Sequence, residues 1–385
     1  MIERYTTDVN EYWDDDFKFY QMARLEIICL AYHQLGSNDS KKDFIEKMLN
    51  SLDKSDVLTK HIRQFEIETK HETAALVKYL SWKFPEESKY VHYNLTSSDI
   101  LDSVYSYQLS KSKDKILKNL SNLLIVLSEK TYADEYGVKY IGRTHGKWAQ
   151  ERNLKSFFKD HHSEFEHAYR SLASINVRFG KLSGPVGEND SIWQEFFTFK
   201  QFFGDDVWER TQSTQVIPRH VYIKFFNILK DIANAIERFA TNIRNMARSE
   251  IGELNEGFAE GQVGSSAMPH KKNPILCENL CGLAKVIRGY NSILDQSTCL
   301  WNERDMSHSS VERIVVPDII NLTDFSICRM KNVIEDLHID YDRIEKNRKN
   351  AEEESKSVEK LNQLIKSGMS RLDAYEQIQS EYKGI

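Results

Sequence analysis

The stretch GQVGSSAMPHKKNP, residues 261–274, gathers glycines, paired serines, prolines, a histidine, two lysines and an asparagine. A connecting loop uses glycine and proline for its turns, but it has no need of paired serines followed by two cations and an asparagine. These residue types suit acid–base chemistry beside a carboxylate. A serine hydroxyl is a poor base in water, and Lys271 with nearby backbone N–H groups would stabilise Ser265 as an alkoxide. Lys271 and Asn273 could instead hold a substrate carboxylate and polarise it, which makes the neighbouring C–H more acidic. Gly264 permits positive φ or a close backbone approach, while Pro269 and Pro274 stiffen the ends, and Pro274 is placed to start a helix. By itself the motif reads as an anion-binding reactive loop.

Four other segments carry groups of the same kind. IGRTHG, residues 141–146, sets Arg143, Thr144 and His145 between glycines. Histidine is the usual general acid near neutral pH, although a solvated turn has the same composition. TKHET, residues 69–73, places His71 between Lys70 and Glu72, a pattern that a charged helix face also produces. VHYNLTSSD, residues 91–99, reads as a helix N-terminus, with Thr96, Ser97 and Ser98 as caps and free N–H groups for an anion. WNERDMSHSSVER, residues 301–313, concentrates Arg304, His308, Ser309, Ser310 and Arg313, a set suited to phosphate or carboxylate. Arg4 and Tyr5 form a smaller version of that pair at the N-terminus, where chains commonly fray.

Long helices must position these segments. Glycine and proline are scarce, at 16 and 6 in 385 residues, so they mark out long uninterrupted stretches. Between Pro218 and Gly252, Phe225, Ile228, Ile232, Ala235, Phe239, Ile243 and Met246 recur at steps of three and four, a helical seam. A second stretch from Ser98 towards Tyr136 carries Ile116, Leu120, Leu123, Leu124 and Leu127, and further helices are expected after Pro274 and after Pro317. No repeat or βαβ pattern is visible. The reading is an all-α fold of long helices packed side by side, and their apolar faces favour a homo-oligomer.

The hydrophobic content of 40% and charged content of 29% are those of a globular protein. A net charge of −6 argues against general nucleic-acid binding, so an anionic small molecule would need a local cation cluster. The N-terminus has neither the cationic start nor the apolar run of a signal peptide, and no apolar segment reaches membrane-spanning length. Five scattered cysteines suit reduced thiols in a cytoplasmic protein. Cys277 and Cys281 could share a helix face, but without a matching partner pair they read as small buried residues, and no metal site is expected.

Taken together, the segments resemble the fumarase/aspartase superfamily. GSSAMPHKKNP is similar to its signature loop, and HYNLTSSD, GRTHG and that loop follow its order. Within it, ERY, TKHE, HYNLTSSD, TQVIPRH and WNERDMSHSSVER resemble the adenylosuccinate lyase family, over about residues 1–380. The resemblance implies a three-part fold with an N-terminal helical domain (1–110), a central long-helix bundle (111–345) and an abbreviated C-terminal helical domain (346–385). It implies elimination of fumarate from adenylosuccinate to give AMP, and from the succinyl derivative of aminoimidazole carboxamide ribotide. Ser265 would be the base, His145 the acid, Lys271 and Asn273 the stabilisers of an aci-carboxylate, His71 a supporting histidine, and Glu278 a carboxylate holding a histidine. His92, Thr96, Ser97 and Gln215 would contact the succinyl part and sugar, and Arg4, Tyr5, Ser309 and Arg313 the phosphate. Arg304, Arg219, Lys70, Ser266 and Met268 complete the substrate set. No cofactor is implied, and a homotetramer with sites shared between subunits is. The family usually has Arg-His-Asp where this chain has Lys70-His71-Glu72, which lengthens the acidic arm.

Two other readings remain open at this point. One is a relative acting on another succinyl or carboxylated compound, such as argininosuccinate or carboxymuconate, which inhibition by AMP would separate. The other is a catalytically silent scaffold, which fumarate release would exclude.

Overall fold

The computed structural model describes residues 2–34, 38–132, 137–188, 192–204, 208–257, 268 and 270–382. In chain order its first helices are α1 (Asp15–Gln34), α2 (Asn38–Asn50), α3 (Ser55–Thr69), α4 (Glu72–Lys83), α5 (Ser97–Tyr132), α6 (Leu154–Ser174) and α7 (Ile192–Phe203). They are followed by α8 (His220–Met246), α9 (Ile275–Gln296), α10 (Ser307–Glu335), α11 (Tyr341–Asn350), α12 (Glu352–Ser355), α13 (Ser357–Lys366) and α14 (Arg371–Glu381). The strands are short: β1 (Lys139–Thr144) pairs with β2 (Lys147–Asn153), β3 (Phe179–Gly180) with β4 (Glu209–Arg210), and β5 (Leu254–Asn255) with β6 (His338–Ile339). The all-α fold is thus as the sequence implies. Among the described residues no helix is long and apolar enough to cross a membrane.

The seam read between Pro218 and Gly252 is α8, and Phe225, Ile228, Ile232, Ala235, Phe239, Ile243 and Met246 are all buried. Each of these side chains other than Ala235 stabilises the fold by about 1.5–3 kcal/mol. The helix stops at Met246, and the chain turns through Gly252 at φ 65°, where the left-handed conformation favours glycine. Ile116, Leu120, Leu123 and Leu127 of α5 are likewise buried, and Leu124 is half-buried.

Pro274 stands directly before α9, as expected of a residue that lacks an N–H to donate. Pro317 behaves differently. It lies inside α10, which begins ten residues earlier at Ser307 rather than after the proline. The missing N–H and ring clash cost about 3 kcal/mol or more in a helix interior. Burial of Val315, Val316, Ile319 and Ile320 around it offsets that cost.

The chain falls into two compact units built from interleaved segments. The first comprises Met1–Leu120, Ala168–Ala233 and Leu283–Ser326, and the second Ser121–His167, Asn234–Gly282 and Ile327–Ile385. In the first, Phe19, Met22 and Leu25 of α1 pack with Leu58 and Ile62 of α3, Leu76 and Tyr79 of α4, and Phe199 of α7. The corner between α3 and α4 is tight: Lys70 closes α3 at φ 53°, and His71 caps α4 by accepting the Ala74 N–H on Nδ1 at 3.2 Å. In the second, the β1–β2 hairpin packs against α11 and α12.

Candidate functional site

The first unit contains a cavity of about 350 Å³ beside the start of α10, lined in part by Ser98, Arg219, Arg304, His308, Ser309 and Arg313. Asp305 shapes this helix end by accepting the N–H groups of Trp301 and Ser307, both at 2.7 Å. The Ser307 hydroxyl and those N–H groups hold the Asp305 carboxyl well below the usual carboxylate range. Ser309 and Arg313 follow one turn apart, so an N-terminal helix dipole, a hydroxyl and a guanidinium face one space. The arrangement can hold a phosphate or carboxylate.

Arg304 donates from Nη1 to Gln215 Oε1 at 2.8 Å, and Gln215 Nε2 donates to the Pro185 carbonyl at 3.0 Å. Gln215 therefore orients a cation of the cavity. Arg219, which the resemblance places among the substrate contacts, lines this cavity. A guanidinium has five N–H donors, and all five here go to the protein. Nη1 and Nη2 bind the two oxygens of Asp102 at 2.9 and 3.0 Å, Nε and Nη2 bind Glu312 at 2.6 and 3.1 Å, and Nη1 reaches the Ile217 carbonyl at 2.7 Å. Arg219 shapes the cavity wall as a positioning residue. His308 is buried beside it, and burial followed by the Arg219 charge pushes its pKa down to about 4, so the ring is neutral near pH 7.

Glu72 lines the same cavity, 2.6 Å from Lys18 Nζ and 3.9 Å from Arg313 Nη2. It directly follows His71, whose Nδ1 is occupied as a cap, leaving Nε2 as the nitrogen available to a ligand. The segment VHYNLTSSD opens α5 as expected, through a capping-box bond in which Asp99 accepts the Thr96 N–H at 2.8 Å. Thr96 and Ser97 are half-buried. Lys181, itself fully buried, binds the other Asp99 oxygen. His92 sits at φ 58° with Nδ1 2.6 Å from Glu26. Burial works against its charged form, but the Glu26 hydrogen bond and charge raise its pKa.

Arg4 and Tyr5 are placed elsewhere. Tyr5 packs edge-on against Phe325, with ring centroids 5.1 Å apart, and Thr7 binds Asp324 at 2.6 Å. Phe325 lies 16 positions beyond Ser309, on the order of 24 Å along α10 at 1.5 Å per residue. Within one chain the two halves of the expected phosphate set do not meet.

In the second unit, His145 occupies the tip of the β1–β2 hairpin. Thr144 pairs with Lys147, leaving His145 and Gly146 as a two-residue loop at φ 54° and 75°, the type I′ geometry. The hairpin goes beyond the turn that the sequence implies, and its signal is a residue followed by glycine between two extended runs. Met268 and Lys271 are exposed, Asn273 is half-buried, and Glu278 lies exposed in the first turn of α9. Ser265 and Ser266 lie outside the described residues. Glu256, just before that segment, accepts the N–H groups of Leu276 and Cys277, each at 2.9 Å, and so caps α9.

Residues 4–289 match the family model described as Lyase. The chain is 35% identical over 390 residues to adenylosuccinate lyase of Streptococcus mutans serotype c, covering 98% of this chain and 87% of that protein. It is 34% identical over 385 residues to adenylosuccinate lyase of Bacillus subtilis strain 168, with the same coverage. Among solved structures, 3-carboxy-cis,cis-muconate lactonizing enzyme from Pseudomonas putida superposes with a TM-score of 0.82 at 20% identity, covering 98% of this chain and 85% of that one. Fumarate lyase from Mesorhizobium sp. BNC1 superposes with a TM-score of 0.82 at 16% identity, covering 98% and 86%. The two structures share the fold, and the two sequences fix the family: the chain is a lyase that belongs to the adenylosuccinate lyases of the fumarase/aspartase superfamily.

Proposed function

We propose that this lyase eliminates fumarate from adenylosuccinate to give AMP, and from the succinyl derivative of aminoimidazole carboxamide ribotide to give the free carboxamide ribotide. The observation that carries the nucleotide reading is the cavity at the α10 N-terminus, where Arg304, Ser309 and Arg313 provide the site for a phosphate. Ser265 removes the proton from the succinyl carbon beside a carboxylate. Lys271 and Asn273 neutralise the charge that develops on that carboxylate. The electron pair then forms the carbon–carbon double bond as the C–N bond breaks, and His145 delivers a proton to the departing nitrogen, which leaves badly as an anion. The exposure of His145 at a hairpin tip supports that role, since it can be presented to a substrate held by other segments.

The active form is a homotetramer with shared sites. The separation of Arg4 and Tyr5 from Ser309 and Arg313 within one chain supports this, because one phosphate can meet both pairs only if they come from different copies. The test is the ultraviolet absorbance change of purified protein with adenylosuccinate, run beside Ser265→Ala and His145→Ala. Each variant is expected to lose about 10²–10⁴-fold in turnover. Near-normal turnover in either variant would overturn its role, and no turnover by the unaltered tetramer would overturn the substrate.

A further inference from the structure

The His145 hairpin is anchored one residue pair below its tip. Arg143 extends from β1 to Glu253, with Nη1 2.9 Å from Oε2 and Nη2 2.7 Å from Oε1, and Nη1 also donates to the Ile141 carbonyl at 3.1 Å. The two-point contact fixes the plane as well as the position of the guanidinium, which a lysine could not do. Glu253 is completely buried and takes a further hydrogen bond from Asn347 Nδ2 at 2.8 Å. The same Asn347 nitrogen donates to the Ile251 carbonyl at 2.9 Å, and Arg343 donates to the carbonyls of Ile251 and Ser249 at 3.0 and 2.6 Å. Helix α11 thus pins the turn that follows α8, that turn presents Glu253, and Glu253 fixes Arg143. Above Arg143 the hairpin has only the Thr144–Lys147 pair and then His145, whose φ of 54° is unfavourable for a side chain with a Cβ. A bulge with Ala149 and Gln150 opposite Gly142 breaks the ladder just below. The ladder alone therefore holds the tip weakly, and the Arg143 clasp is what defines its direction.

We propose that Arg143, Glu253 and Asn347 are positioning residues for His145, acting on the reaction only through the place they give its imidazole. The inference rests on the reading of His145 as the proton donor. A displacement of about 1 Å at a reacting group can cost on the order of 10²-fold in rate.

The experiment measures kcat and KM for adenylosuccinate in the full-length enzyme. It compares Asn347→Ala and the double variant Arg143→Met/Glu253→Gln, each made alone and in a His145→Ala background. The double variant removes both charges together, so no buried carboxylate is left unpaired. Both are expected to lower kcat by roughly 10–100-fold with KM and AMP affinity unchanged, and to change kcat less than about 2-fold once His145 is absent. Equal losses in both backgrounds would mean general structural damage and would overturn the proposal. So would a kcat within about 2-fold of normal in a folded variant. If the double variant does not fold, Asn347→Ala decides. Normal turnover by His145→Ala itself would instead remove the premise, an outcome seen directly in that single variant.

Discussion

Arg219 meets Asp102 end-on, through Nη1 and Nη2, in two hydrogen bonds of 2.9 and 3.0 Å, and both side chains are almost wholly buried. The pair joins the first turns of α5 to the segment that leads into α8, and through Glu312 to α10. Removing the guanidinium leaves two buried carboxylates without their partner. Arg219→Ala is therefore expected to lose about 3–5 kcal/mol of stability, because an uncompensated buried charge outweighs the modest net worth of the pair. Urea unfolding would check this, and a loss below about 1 kcal/mol would show that water or a rearranged neighbour replaces the cation. Arg219→Lys is expected to restore only part of the loss, since the three donors of one ammonium cannot reproduce the five bonds of the planar guanidinium.

The pair of Glu26 and His92 makes a pH-dependent contribution. The folded-state pKa of His92 is raised above the ordinary 6.5, by the hydrogen bond and charge of Glu26 and the charge of Asp99 acting against burial. A group whose pKa is raised on folding stabilises the fold fully below its unfolded pKa, and that contribution is lost as pH rises through the folded value. The stability difference between the unaltered protein and Glu26→Gln is thus expected to be present just below pH 6.5 and to shrink as the pH climbs. A titration of the His92 ring by nuclear magnetic resonance would show its pKa fall in the variant. An unmoved pKa would mean that Glu26 does not hold the proton on His92.

The apolar periodicity that makes α8 a helix is the same periodicity that buries it, so Phe225 to Met246 could be read directly from spacing. The cation cluster was also legible as residue types in WNERDMSHSSVER. What spacing could not reveal was partnership. Arg219 lies beside His220 in sequence, yet its contacts are Asp102 and Glu312, 117 and 93 residues away, which make it a strut of the cavity wall. The role of Glu26 behind His92, 66 residues distant, was hidden for the same reason. Pro317 misled because the local rule, that proline opens a helix, yields when tertiary burial of the helix around it is large enough.

Arg313 tests the anion site without touching the fold. Its side chain is exposed and stands 3.9 Å from Glu72, too far for a strong hydrogen bond. A hydrogen bond to a charged group is worth about 1.5–3 kcal/mol, so Arg313→Ala is expected to weaken AMP binding by roughly 10–150-fold. Inorganic phosphate should lose affinity with it, and the melting temperature should stay nearly unchanged. Calorimetric titration that gave the same AMP affinity in both proteins would take Arg313 out of the phosphate site.

The distance between the two halves of the proposed phosphate set leads to a test of shared sites. Tyr5 is held against Phe325, far along α10 from Ser309 and Arg313, so a single phosphate can reach both pairs only across copies. In the proposed homotetramer, Arg4→Ala and Arg313→Ala would each cripple every site of an assembly made from that variant alone. In a hybrid, a site that takes its N-terminal residues from an Arg313→Ala copy and its α10 residues from an Arg4→Ala copy carries neither substitution. Random exchange of equal amounts leaves about a quarter of the sites intact in this sense. Mixing the two variants under conditions that let subunits exchange is therefore expected to restore adenylosuccinate turnover above either parent. If the mixture stays at the parental level although mass spectrometry shows hybrids, both residues serve the same copy's site or Arg4 serves none.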